Sequence, residues 1–159
     1  MKRFILVRHA KTEEGLHKKD KERNLVEKGI RKIHAYANIL KNKIADVEVA
    51  FVSPANRTRQ TADILFAHNP KTQICIEESL YAFDSNYLNF IQNVSSKWNF
   101  IALVGHNYSL EYTLNLLLQT PPTKRIPAKT SCVACFYSTV EDWQMVLPQN
   151  TYLEWILNG

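Results

Sequence analysis

Four short apolar runs punctuate the chain, at residues 3–7 (RFILV), 47–53 (VEVAFVS), 72–76 (TQICI) and 100–104 (FIALV). The first has no polar alternation, as expected of a strand covered on both faces. Helical stripes fill the intervals. From Glu27, the residues Ile30, Ile33, Ala37, Leu40 and Ile44 fall on one helix face. After Pro54 a second helix should turn Ala62, Leu65 and Phe66 inward. Residues 84–94 predict a third, with Asp84 or Ser85 as its N-cap. The fourth run leads into a helix whose buried face is Leu110, Leu114, Leu117 and Leu118. Strands that alternate with helices call for an α/β fold: a three-layer αβα sandwich around a mostly parallel sheet. Two stretches read as loops, a charged one at 11–25 and a basic, Pro-rich one at 119–131. Residues 132–138 (CVACFYS) and 143–147 (WQMVL) are expected to pair as a hairpin or adjacent strands.

A length of 159 residues, 45% hydrophobic and 22% charged, fits one domain spanning 1–159 with a core of ordinary size. The net charge of +5 suits anionic partners. It is too small to imply nucleic acid, and no segment interleaves basic with aromatic residues. Cys75, Cys132 and Cys135 are too few for a disulfide framework and fit a reducing compartment. Cys132 and Cys135 form a C-x-x-C without the second pair of a zinc site; in a strand they read as buried small residues. The apolar run at the N-terminus is too short for a signal peptide. No run approaches the ~20 residues of a membrane helix. The expected setting is cytoplasmic, without membrane contact, and the expected state is a monomer.

Sheets of this kind place ligand sites at the carboxyl ends of their strands. The first run ends in Arg8-His9, the second in Ser53 with Arg57 and Arg59 just beyond, and the fourth in Gly105-His106. Each alone is unremarkable, since a lone histidine is more often structural than catalytic. Together, two arginines and two imidazoles at one sheet edge would repel one another without an anion. Guanidinium forks match phosphate oxygens. The reading that follows makes His9 a nucleophile toward phosphorus, with a backbone carbonyl fixing its tautomer. Arg8 and Arg57 would hold the equatorial oxygens and His106 would donate a further hydrogen bond. The free N–H groups of the helix after His106 would favour the same anion. Thr12 and Asn107 are candidate substrate contacts. Ser53 would support the site or cap its helix, and Arg59 is secondary. No carboxylate cluster for Mg²⁺ stands out, so neither metal nor cofactor is expected. His17, Lys18, Lys19, Lys21 and Arg23 would border the entrance and steer an anion. Lys124, Arg125, Lys129, Thr130 and Ser131 could close over it. Trp98, Trp143 and Trp155 read as packing residues.

These segments carry a resemblance. LVRHAKTE (6–13) resembles the Arg-His-Gly signature of the histidine phosphatase superfamily, the clan that includes phosphoglycerate mutases. SPANRTRQTA (53–62) resembles its second phosphate-binding segment, and LVGHNYS (103–109) the segment of its second histidine. ERNLVEKG (22–29) resembles the stretch that leads into its first helix. The matches run from residue 4 to about residue 118 in family order. Within the clan the compact chain is most similar to SixA-type phosphohistidine phosphatases. The resemblance implies a phosphoglycerate mutase-like fold and a phosphohistidine enzyme intermediate, with Arg8, His9, Arg57 and His106 catalytic. Two departures stand out. Ala10 replaces the signature glycine, which implies an ordinary backbone angle. The proton donor that larger members place after the third strand has no clear match among Glu77, Glu78 and Asp84; Glu78 and Asp84 read better as a solvated residue or a cap. An alkoxide leaving group needs such an acid, worth about 10²–10⁴-fold in rate. The imidazole of a phosphohistidine does not. The expected activity is therefore removal of phosphate from phosphohistidine on a protein. The alternatives are a phosphomonoesterase or mutase acting on small phosphorylated metabolites, with Glu78 or Asp84 as acid, and a non-catalytic phosphate-binding module.

Overall fold

The computed structural model describes residues 1–15 and 17–159; Leu16, in the charged 11–25 stretch, lies outside the described residues. Six strands alternate with four helices: β1 (Lys2–Arg8), α1 (Glu27–Leu40), β2 (Val49–Val52), α2 (Asn56–Leu65), β3 (Gln73–Ile76), α3 (Tyr87–Gln92), β4 (Phe100–Gly105), α4 (Asn107–Leu117), β5 (Val133–Ser138) and β6 (Thr151–Leu157). They build one sheet in the order β3-β2-β4-β1-β5-β6. β1–β4, β2–β4 and β2–β3 pair parallel; β1–β5 and β5–β6 pair antiparallel. Helices flank the sheet, which makes this the α/β sandwich that the alternation predicts. No helix among the described residues is long and apolar enough to cross a membrane.

The unbroken apolar run of β1 explains its central place. Ile5 and Val7 face a core with Ile33, Ala37, Leu40 and Ala62 of α1 and α2. Phe4 and Leu6 face the opposite core, with Ile91, Leu110 and Leu114 of α3 and α4. Cys135 sits in the first core and Cys132 in the second, both as free thiols. Burial pushes them up to about 12 and about 11 respectively, so both stay protonated packing groups.

Two expectations are corrected. The 143–147 stretch is not a strand. Asp142 caps a 3₁₀ turn at Trp143–Met145 by accepting from the Gln144 N–H at 3.1 Å. Trp143 swings fully into the core, where its indole N–H donates to the Trp98 carbonyl at 2.9 Å. Pro148 then lacks the N–H that a ladder needs. The partner of β5 is β6, the TYLEWIL stretch, which the expected pairing with 143–147 left unassigned. The N-cap of α3 is Asn86, which accepts from the Asn89 N–H at 2.9 Å, rather than Asp84 or Ser85. Ser85 donates instead to the carbonyls of Ser79 and Ala82.

At the carboxyl end of β4, Gly105 lies against the buried ring of Tyr87. The Tyr87 hydroxyl accepts from the backbone N–H of His106 at 3.0 Å and donates to the Leu80 carbonyl at 3.1 Å. A Cβ on Gly105 would meet that hydroxyl oxygen at 1.9 Å and the ring carbon Cζ at 2.7 Å. Gly105→Ala should therefore destabilise the protein by about 1–3 kcal/mol, the usual cost of overpacking a core. Denaturant unfolding would read this as a lower midpoint with an unchanged slope.

Candidate active site

The ends of β1, β2 and β4 meet the 11–25 and 77–84 segments around a cavity of about 400 Å³. His9, Arg57, His106 and Asn107 line it, together with Asp20, Arg23, Tyr81, Phe83 and Tyr108. The parallel register sets Arg8 beside Gly105, so the next residue of each strand is a histidine. The His9 N–H donates to the Gly105 carbonyl at 3.1 Å, and the two imidazole centroids lie 5.4 Å apart.

Hydrogen bonding fixes both tautomers. His9 Nδ1 lies 2.8 Å from the Ala10 carbonyl oxygen, which can only accept. Nδ1 therefore carries the proton and Nε2 keeps its lone pair. Arg57 Nη2 donates to His106 Nδ1 at 3.2 Å. Nε2 of His106 then carries the proton and donates to Ser53 Oγ at 2.7 Å. Ser53 thus supports a site residue, one of the two roles that the sequence suggests. Ala10 is buried with an ordinary backbone angle; positive φ among the described non-glycine residues falls at Gln119 and Ser131. Ser131, at 68°, donates its N–H to the His9 carbonyl from the other side.

Burial, and after it the charges of Arg57, Arg8 and Arg23, lowers His9 to about 4. Burial, Arg57 and His9 lower His106 to about 3. Both rings are neutral at pH 7. Asp20 goes the other way from what burial alone would dictate. The Tyr81 hydroxyl, Arg57 and Arg23 outweigh its desolvation and hold the carboxyl far below the usual range.

Arg8 does not line this cavity. Its guanidinium donates to the Ala128 carbonyl, and the residue borders a second cavity with Lys11, Lys28, Lys32 and Lys129. Thr12 is also outside; its hydroxyl accepts from Arg23 at 2.8 Å. Glu77 caps the turn that follows it by accepting from Ser79. Glu78 is exposed and pairs with Lys21 at 2.9 Å. Asp84 is exposed and borders a different pocket. Arg59 is exposed and, among the described residues, forms no ion pair. Lys18 pairs with Glu13, while Lys19, Lys124 and Arg125 are exposed away from the wall. Among the described residues, no group of three or more His, Cys, Asp or Glu side chains stands close enough to hold a metal ion. Sequence reasoning missed Asp20, Tyr81, Phe83 and Tyr108 in the wall, of which Asp20 and Tyr81 bond to the site's charged groups. Asp20 was one charge among many in its stretch. Tyr81 was hidden in an expected acid segment.

The depressed imidazoles make stability acid-sensitive. Below about pH 6.5 the unfolded chain takes up protons at both positions, whereas the folded chain does so only near pH 4 and pH 3. The unfolded state binds more protons in that window, so stability falls as pH falls. Denaturant midpoints should drop between pH 7 and pH 4.5, and His9→Asn with His106→Asn should flatten that decline.

A model of the histidine phosphatase superfamily (branch 1) matches residues 4–84, a span that holds Arg8, His9 and Arg57. No curated protein matches the chain. Solved structures share the fold along its whole length. A SixA from Agrobacterium tumefaciens, a candidate phosphohistidine phosphatase, superimposes with a TM-score of 0.82 at 23% identity, covering 98% of this chain and 97% of its own. A protein histidine phosphatase SixA bound to tungstate gives 0.78 at 18% identity, with 98% and 96% covered. A candidate alpha-ribazole-5'-P phosphatase from Escherichia coli gives 0.68 at 16% identity, with 100% and 98% covered. With its signature segments and its sheet in place, the chain belongs to the histidine phosphatase superfamily.

Proposed function

We propose that the chain is a phosphatase with His9 as nucleophile and that its substrate is a phosphohistidine on a protein. The observation that carries the reading is the pairing of two neutral imidazoles with the Arg57 guanidinium in one cavity. His9 presents an unprotonated Nε2 whose other nitrogen is held by the Ala10 carbonyl. Its lone pair attacks phosphorus, and the phosphorus–nitrogen bond of the substrate breaks in line. A substrate ring protonated on its far nitrogen leaves as neutral imidazole. Water then attacks the phosphorylated His9, releases inorganic phosphate and restores Nε2. Arg57 stabilises the charge on the transferring oxygens, and His106, its Nε2–H held by Ser53 Oγ, stays neutral beside it. Asn107, at the start of α4 in the cavity wall, offers its side-chain amide N–H groups as further donors. Arg8 acts on the site through its charge, which reaches both imidazoles.

The choice of substrate rests on the carboxylates. Glu77 and Glu78 are engaged elsewhere, Asp84 lies outside the cavity, and Asp20 is held ionised. None is placed as a general acid. A leaving group that departs without one fits the site better than an alkoxide. The structural likeness to SixA proteins supports the same substrate.

Brief incubation with a ³²P-phosphohistidine protein should label the enzyme on His9 with an acid-labile, base-stable phosphate. His9→Ala should abolish the label and lower turnover by at least about 10³-fold, as loss of a covalent nucleophile does. Phosphoserine and sugar phosphates should be hydrolysed far more slowly. If they are the faster substrates, the phosphohistidine assignment is wrong.

A further inference from the structure

Arg57 is the most buried charge in the cavity, its side chain only 7% exposed. A guanidinium so placed is costly unless its charge and its N–H groups are answered. Asp20 answers both. Its backbone carbonyl accepts from Arg57 Nη1 at 2.6 Å and its Oδ2 accepts from Nη2 at 2.8 Å. The same Oδ2 accepts from the Tyr81 hydroxyl at 2.7 Å, and Oδ1 accepts from Arg23 Nη1 at 3.1 Å. One carboxylate thus ties the 11–25 stretch to α2 and to the segment after β3.

Asp20 could instead be an internal anion that occupies the place of the phosphoryl group. Donor accounting speaks against this. Arg57 has five N–H groups. Asp20 takes one on Nη1 and one on Nη2, and His106 takes the other on Nη2. One N–H of Nη1 and the Nε–H remain, the latter buried without a partner among the described residues. Asp20 is itself half-exposed, on the outer side of the buried guanidinium. Asp20 braces the Nη1–Nη2 edge, and one Nη1 N–H stays free of it. With Nη2 shared between Asp20 Oδ2 and His106 Nδ1, the carboxylate also aims the N–H that selects the His106 tautomer.

We infer that Asp20 is a positioning residue: it orients the Arg57 guanidinium and, through it, holds His106 with its proton on Nε2. This deepens the proposed function and rests on it for its kinetic consequence, but not for its structural one. Removing the charge should cost orientation more than binding. A carboxylate beside the site repels an incoming dianion, so its loss does not weaken ground-state binding.

Asp20→Asn should lower kcat toward the phosphohistidine protein by about 10²-fold, the scale of a misplaced catalytic group. Inhibition by inorganic phosphate should be unchanged or tighter. Asp20→Glu, which keeps the charge, should restore part of kcat. Nitrogen-15 NMR of the folded variant should show His106 as a mixture of tautomers where the parent protein shows one. A single Nε2–H tautomer in Asp20→Asn overturns the inference. So does unchanged or raised kcat, which would mark Asp20 as an occluding anion. Should the parent protein prove inactive on every phosphorylated probe, the functional reading fails, and the tautomer result still decides the role of Asp20.

Discussion

The parallel pairing of β1 with β4 is the contact on which the site depends. Arg8 stands opposite Gly105, so two chain segments almost a hundred residues apart leave the sheet side by side, each into a histidine. A slip of one residue would turn one imidazole to the other face of the sheet. The register is held by the two cores. Phe4 and Leu6 must face α3 and α4, while Ile5 and Val7 must face α1 and α2. Packing of apolar side chains far from the cavity therefore sets the distance between His9 and His106. Tyr87 completes the arrangement at the one point where β4 needs a residue without a side chain.

The electrostatics follow from that placement. A buried imidazole beside a fixed guanidinium stays neutral, because burial and the neighbouring charge both oppose a proton. Neutrality is what a nitrogen nucleophile needs. The same guanidinium is buried against a counterion, which Asp20 supplies. The cavity thus separates its two kinds of cation-forming group. The arginine is always charged and paired, and the imidazoles are uncharged and hydrogen-bonded to acceptors or donors that leave no choice of tautomer.

Much of this was legible in the sequence, for identifiable reasons. Buried parallel strands write themselves as continuous apolar runs, so four strands and the histidines that follow two of them could be read directly. Amphipathic stripes gave α1, α2 and α4. Residues whose role depends on direction were harder. Arg8 follows β1 as His9 does, yet its guanidinium is drawn to the Ala128 carbonyl and it borders another cavity. Thr12 serves Arg23 rather than the cavity. β6 lies at the sheet edge, its apolar run broken by Glu154 and left without a partner once 143–147 is paired with β5. Asp20 was invisible because a charged stretch has no period, and nothing local distinguishes the one carboxylate that turns inward.

The division between strands and loops also explains how substrate choice can be set apart from phosphoryl chemistry. His9, Arg57 and His106 stand at or next to strand ends and are fixed by the sheet. The residues that would meet the leaving group come from the 11–25 and 77–84 segments. There the acids are disposed by local competition. Glu77 turns back to the Ser79 N–H and hydroxyl, and Lys21 draws Glu78 outward while its ammonium rests 4.6 Å from the Tyr81 ring centroid. Tyr81 takes the place facing the cavity, its ring edge-on to His106 with centroids 5.5 Å apart. Burial, and after it the hydrogen bond to ionised Asp20, raises the Tyr81 hydroxyl above its ordinary value, so it is a weak acid. The loops thus leave the strand-borne residues intact while offering a departing alkoxide no ready proton, and the proposed nitrogen leaving group rests on this combination rather than on any one residue.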